Sequence, residues 1–372
     1  MAEWIDCKIA DLGTVVGGAT PSTKKLEYYE NGNIAWITPK DLSTFRGRYI
    51  RRGERNITEI GLKSCSTQLL PKNTVLFSSR APIGYIAIAE NELCTNQGFK
   101  SVIPNENTDP LFLYYLLKYN KNKIESMGSG TTFKEVSGNT LKNIVVSVPR
   151  DKKVQEQISS ILGAIDNKIE LNEKINNNLE QQAIAIFDNM FPNISAAEKT
   201  IGDIIIPKRG KNLLSKNAIL GNVPVVAGGL NPSTYHNTAN TVAPVLSISA
   251  SGANAGYVNL WNIPIWSSDS SFIDSSMSND VYFWYVLLKK RQNEIYDSQT
   301  GSAQPHIYPQ HIAAMPICDL NFNKVSNYTS TVTPIFELIG HNKIENMRLI
   351  TIRDALVPKL ISGDLDVSNI SL

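Results

Sequence analysis

The longest regular pattern in the chain runs over residues 151–190. Val154, Ile158, Ile161, Leu162, Ile165, Ile169, Ile175, Leu179, Ala183, Ile186, Phe187 and Met190 recur at spacings of mostly three and four, the period of one helical face. Asp151 can cap the run and Pro192 closes it. At about 1.5 Å per residue, roughly 38 residues predict a rod of roughly 57 Å, where a globular helix usually has about 11–12 residues. Lys168, Asn172 and Gln182 interrupt the apolar seam, which predicts a coiled-coil stripe carrying polar register marks. Ile335, Phe336, Ile339, Ile344, Met347, Ile350, Ala355, Leu356 and Leu360 predict a partner helix over residues 333–361, with Thr333 and Pro334 as cap and first turn. The two helices are expected to pack on each other and carry everything else. Two unrelated amphipathic helices on separate cores are the alternative.

The rest of the pattern is shorter. Strands are expected at 34–37, 74–77 and 85–88. Asp109 and Pro110 start a helix over 111–127, a Gly-rich turn follows at 128–132, and 141–146 reads as a closing strand. The order recurs: Asp280 caps a helix reaching Tyr296, a turn spans 300–302, and 312–317 closes. A shift of 171 residues lays 109–146 on 280–317 without a gap. Asp109/Asp280, Phe112/Phe283, Tyr114/Tyr285, Leu116/Leu287, Leu117/Leu288, Lys118/Lys289, Asn122/Asn293, Ile124/Ile295 and Gly130/Gly301 are then identical. The chain therefore reads as two copies of one unit. The expected fold class is α/β (α+β), with globular domains at 1–150 and 192–330, long helices at 151–191 and 331–363, and a tail at 364–372, related by an internal pseudo-twofold repeat.

With 42% hydrophobic and 19% charged residues, the composition is that of an ordinary globular protein. No apolar run approaches a membrane span, and the N-terminus has no signal-peptide pattern. Cys7, Cys65, Cys94 and Cys318 are scattered, which argues for a reducing cytoplasm and against structural zinc. The net charge of +2 hides a gradient: +5 over 1–150, −3 over 151–191, +1 over 192–330 and −1 over 331–372. An anionic partner would be drawn to the globular parts rather than to the helices.

Enzyme motifs are missing. There is no phosphate loop, dinucleotide fingerprint, HExxH or GxSxG, and the four histidines lack metal-ligand spacing. Asn231-Pro232-Ser233 lacks the second proline and the aromatic of an amino-methyltransferase box, and reads as a turn. No catalytic, metal or cofactor residue is assigned. Binding is better signalled. Residues 45–55 hold five arginines and two aromatics, and arginine can grip phosphate or read guanine; a solvated basic loop is the plain alternative. Polar loops also fall at equivalent places in the two copies, Ser78-Ser79-Arg80 against Ala250-Ser251-Gly252, and 131–134 against 302–306.

These residues resemble a known family, the DNA-specificity subunits of type I restriction–modification systems. The resemblance covers essentially the whole chain. It is carried by residues 223–229, Gly256-Tyr257-Val258, Trp266-Ser267-Ser268-Asp269, 285–288, 301–307, Val154-Gln155-Glu156-Gln157-Ile158, 165–169 and the C-terminal 356–363. It implies two target recognition domains that each read half of a split double-stranded DNA sequence, and an antiparallel coiled coil that sets their spacing. It also implies methyltransferase (M) subunits docked on the coiled coil and a restriction/translocase (R) subunit. S-adenosylmethionine, ATP and Mg would belong to those partners, with no cofactor and no catalysis in this chain. The residues expected to face DNA are Arg46, Arg48, Arg51, Arg52, Arg80, Thr132 and Lys134 in the first domain. In the second, more neutral domain they are His236, Ser249, Asn254, Gln304 and His306. A diverged methyltransferase and a DNA-independent scaffold stay open as alternatives. Binding of S-adenosylmethionine by the chain alone separates the first, and salt-dependent DNA binding the second.

Overall fold

Two long helices account for much of the secondary structure: Lys152–Met190, with 39 residues, and Phe322–Ser362, with 41. They are seen in a computed structural model that describes residues 2–130, 134–301 and 304–367. The chain divides into two units. The first is Met1–Glu170 with Met347–Leu372, and the second is Leu171–Asn346, so each long helix contributes to both.

In the first unit a five-stranded sheet runs in the order Gly13–Gly17, Lys100–Pro104, Val75–Phe77, Ile86–Ala89, Tyr49–Ile50. Its pairs are antiparallel except the last, where Tyr49 lies opposite Ile88 in parallel. A three-stranded sheet, Arg55–Ile57, Ile34–Ile37, Cys94–Thr95, and the ribbon of Trp4–Lys8 with Val145–Pro149 complete the strands. The helix Pro110–Tyr119 starts where expected. Pro110 needs no N–H in the first turn, and the Asp109 carboxylate accepts from the Phe112 N–H at 2.7 Å. Its apolar face, including Phe112, Tyr115 and Leu116, packs with Phe77, Val102, Ile158, Leu162, Leu360 and Ile361 into one buried core. Both long helices therefore help close this unit.

The second unit repeats the plan. Its four-stranded sheet is Lys208–Arg209, Ser270–Asp274, Val245–Ser249, Val258–Trp261. Its three-stranded sheet is Thr234–His236, Val223–Val226, Trp266–Ser267, and its ribbon joins Lys199–Thr200 to Pro316–Ile317. The helices Pro110–Tyr119, Lys121–Ser126 and Gly138–Lys142 recur as Val281–Lys290, Gln292–Asp297 and Pro309–Ala313, each 171 residues later. Phe187, Phe191, Phe283 and Tyr328 form an aromatic cluster with centroids 5.1–6.3 Å apart. Edge-on pairs of this kind add about 0.5–1.5 kcal/mol each beyond their burial.

Several expectations change. The second long helix does not begin at Thr333 but at Phe322, and Pro334 lies in its interior. Proline there removes one backbone donor and leaves the Ser330 carbonyl without a helical partner. Both residues are exposed, so water can serve that carbonyl, while Val325, Tyr328 and Val332 anchor the preceding turns in the core. The segments at 141–146 and 312–317 are not strands throughout: each begins in a short helix, and the strands start at Val145 and Pro316. Asp280 sits at the cap position of its helix but accepts no side-chain capping bond. Lys168 and Gln182 are exposed rather than in a seam. Asn172 is buried, 1% exposed, and its amide donates to Asn346 at 2.8 Å and to Glu345 at 2.7 Å; Asn342 donates to Asn176 at 2.8 Å.

Candidate nucleic-acid interface

The Arg-rich loop of the first unit is a long connection. Seventeen residues, 38–54, join the strands Ile34–Ile37 and Arg55–Ile57, where seven, 227–233, join the corresponding strands of the second unit. Within it the strand Tyr49–Ile50 seats the loop on the edge of the five-stranded sheet. Strand side chains alternate sides. Arg46, Tyr49, Arg51 and Arg52 are exposed, while Arg48 and Ile50 are buried.

Arg48 therefore corrects its assignment. It does not face solvent but is 4% exposed, with Nε 3.0 Å from the Glu170 carboxylate, Nη2 donating to Asn167 and Nη1 reaching the Gly163 carbonyl at 3.5 Å. Burial works against its charge, and the Glu170 bond and field outweigh it, so the guanidinium pKa is held above its ordinary value. A neighbouring buried set joins the same helix. Asp166 accepts from the Tyr115 hydroxyl at 2.5 Å and from Arg353 at 2.8 Å. Burial, and then Asp166, push the Tyr115 phenol well up.

Arg80 and Lys134 are brought to one place. Val136 N–H donates to the Ser79 carbonyl at 3.0 Å, Arg80 lies 3.4 Å and Lys100 3.6 Å from Glu135, and Lys134 is exposed beside them. Thr132, with Thr131 and Phe133, lies outside the described residues.

The second unit divides its candidates. His236 is buried, its Nδ1 accepting from the Ile219 N–H at 3.0 Å and its ring edge-on to Trp266 at 5.0 Å. Ser249 is buried and donates to the Ala227 carbonyl at 3.4 Å. His236 takes the inward side of its strand, where Tyr235 is exposed, and Ser249 ends a strand buried at every residue, so neither presents its side chain to an outside partner. Asn254 is half-buried and its carbonyl closes the turn to Tyr257 at 3.0 Å. Gln304 is exposed. His306 is half-buried, exchanges backbone bonds with Thr300 at 2.8 and 3.0 Å, and stacks its ring 6.0 Å from Tyr308. Ser302 and Ala303 lie outside the described residues.

Sequence reasoning passed over Lys208, Lys211 and Lys216, all exposed in the second unit. Between Asp203 and Asp269 the chain has no acidic residue and four basic ones, these three and Arg209. A local count would have found them; the domain total of +1 averaged them against acids elsewhere. Among the described residues no group of three His, Cys, Asp or Glu is placed to hold a metal, and no helix is long and apolar enough to cross a membrane.

Residues 1–181 match the type I restriction modification DNA specificity domain family. The chain is 34% identical to the type I restriction enzyme MjaIX specificity subunit of Methanocaldococcus jannaschii, over 99% of this chain and 95% of that one. It is 30% identical to the EcoR124I/EcoR124II specificity subunit of Escherichia coli, over 42% and 40% of the two chains. The crystal structure of a type I restriction-modification S subunit from M. genitalium shares the fold, with a TM-score of 0.62 at 20% identity, covering 99% of this chain and 97% of that one. On the strength of the near-complete match to the M. jannaschii subunit, the chain belongs to the specificity subunits of type I restriction–modification systems.

Proposed function

We propose that each unit reads one half of a split duplex DNA target, and that the two long helices form an antiparallel coiled coil that sets the spacing between half-sites. The supporting observation is the repeat: four strands of the larger sheet recur in the same order and three short helices recur 171 residues later, as suits two reading heads of one kind. Two similar heads suit a bipartite site, and a pseudo-twofold relation between them would present both to one duplex. In the second unit the polar pairs run in reverse order, Asn172 with Asn346 and Asn176 with Asn342. Polar partners at core positions resist sliding of one helix past another.

In this reading the chain is not an enzyme. It works in the cytoplasm, docks methyltransferase subunits on the helices, and accompanies a restriction subunit. Those partners hold S-adenosylmethionine, ATP and Mg. Exposed Arg46, Arg51 and Arg52, with Arg80 and Lys134, meet DNA from the first unit. Asn254, Gln304 and His306 do so from the second.

The helices are tested as a ruler by inserting four residues near Asn176, with matching inserts in the partner helix. Four residues add about 6 Å and a rotation of roughly 40°. The methylated motif of a host strain is expected to keep both half-sites, with a spacer longer by about one or two base pairs at roughly 3.4 Å per step. An unchanged spacer in a folded, partner-bound variant overturns the ruler.

A further inference from the structure

The loop between the strands Lys208–Arg209 and Val223–Val226 carries an exposed apolar tip and follows or contains the exposed Lys208, Lys211 and Lys216 along the chain. Leu220 is 93% exposed, with Ile219 at 61% and Leu214 at 51%. Both ends of the loop are pinned. Gly210 N–H donates to Ser270 at 2.8 Å and Lys211 N–H to Ser267 at 2.9 Å. The Trp266 indole donates to the Lys211 carbonyl at 2.8 Å, and the Leu213 N–H to Ser268 at 2.9 Å. Ile219 is held by His236 at 3.0 Å. A Cβ on Gly210 would stand 2.5 Å from the Ser267 carbonyl, and one on Gly221 2.4 Å from the Asn237 Cα, so both ends press directly on the sheet. The apolar side chains are thus held outward by a secured base.

We infer that this loop is the base-contacting element of the second unit, with Lys208, Lys211 and Lys216 on phosphates and Leu220 against base edges in a groove of duplex DNA. The inference rests on the DNA-reading role proposed above and names the residues that perform it. An exposed leucine that follows three exposed lysines within thirteen residues, in a 65-residue stretch with no acid, calls for a partner that offers both anionic and apolar contacts. Duplex DNA is such a partner: its phosphates line the rim, and thymine methyls and base steps offer apolar contacts to Leu or Ile. Arg209 is excluded from the phosphate set because its guanidinium lies 2.6 Å from Asp269. His236 enters as a positioning residue, holding Ile219 in place rather than touching DNA.

The test uses the full chain with the methyltransferase subunits of its system and the duplex motif that the wild-type complex methylates. K208A/K211A/K216A should flatten the dependence of log affinity on log salt by roughly 2–3, at about 0.9 per lost phosphate contact, with the motif unchanged. Lysine-to-arginine replacement at the same positions should restore the slope, which separates charge from folding. L220A should keep the slope and relax one or two positions in one half-site, with discrimination falling about fivefold or more. Lys199→Ala, a lysine already paired with Asp319 at 2.6 Å, should change neither. If the wild type binds DNA and both loop variants match it in slope and motif, the loop assignment alone is wrong. If the variants instead lose the methyltransferase subunits while keeping the slope, the loop docks a protein and the inference is likewise overturned. If the wild-type complex neither binds duplex DNA nor methylates a split motif, the functional reading itself fails.

Discussion

The two units share a scaffold and differ in where they keep their positive charge. In the first, arginines lie on the seventeen-residue connection 38–54, and one of them, Arg48, is turned inward to hold that connection on the helix through Glu170. In the second, the matching connection has shrunk to seven residues. Lysines stand instead on the loop after the sheet's first strand, pinned by Trp266 and His236. The paired sheets and helices keep their order while the loops between them differ in length, charge and means of attachment. A rigid frame with exchangeable loops lets recognition change without rebuilding the core.

The comparison breaks most visibly by exchange. Replacing residues 200–320 with those of another family member should change one half of the methylated motif completely and leave the other intact; methylome sequencing that showed both halves altered, or neither, would remove the two-head picture. Next in size is the contrast inside the first unit. R48A leaves Glu170, itself partly solvated, without its main cation and should cost about 2–3 kcal/mol in denaturant unfolding. R46A, R51A and R52A should each stay within about 0.5 kcal/mol, yet together flatten the salt slope of DNA binding. A harmless R48A would contradict its buried role. The smallest effect concerns buried phenols in the two units. Burial, then Asp166, raises the pKa of Tyr115, and burial, then Glu180, raises that of Tyr285. For a raised pKa the folded state holds its proton longer, so the contribution is complete below the unfolded value of about 10 and is lost as pH climbs above it. Stability should fall above about pH 10, and less steeply in Y115F and Y285F; equal slopes in all three proteins would show that these phenols do not control it.

How much was legible depended on the length of the pattern. The helix Lys152–Met190 could be read because its apolar period persists over ten turns, while register marks could not. A seam drawn at 3.5 residues drifts against a helix of 3.6, and Lys168 and Gln182 rotate out while Asp166 rotates in. Asp166 at a buried position is understandable only with Tyr115 and Arg353, and Arg353 lies 187 residues away. Pro334 carried a strong local signal for a helix start, which the packing of Val325, Tyr328 and Val332 overrode. Arg48 was hidden in a charge run whose alternation became readable only once Tyr49–Ile50 proved to be a strand.

The division of the two long helices has a consequence for synthesis. The second unit is one continuous stretch, Leu171–Asn346, and its whole core has left the ribosome once that stretch has. The first unit lies on both sides of that stretch: Ile158 and Leu162, which precede it, share a core with Leu360, Ile361 and Val367, which follow it. At about 5–20 residues per second, those closing residues emerge a few seconds after the second unit is complete. The unit started before the other is thus completed after it. A released fragment ending at residue 346 should expose its first unit to protease while protecting the second, and the full chain should protect both.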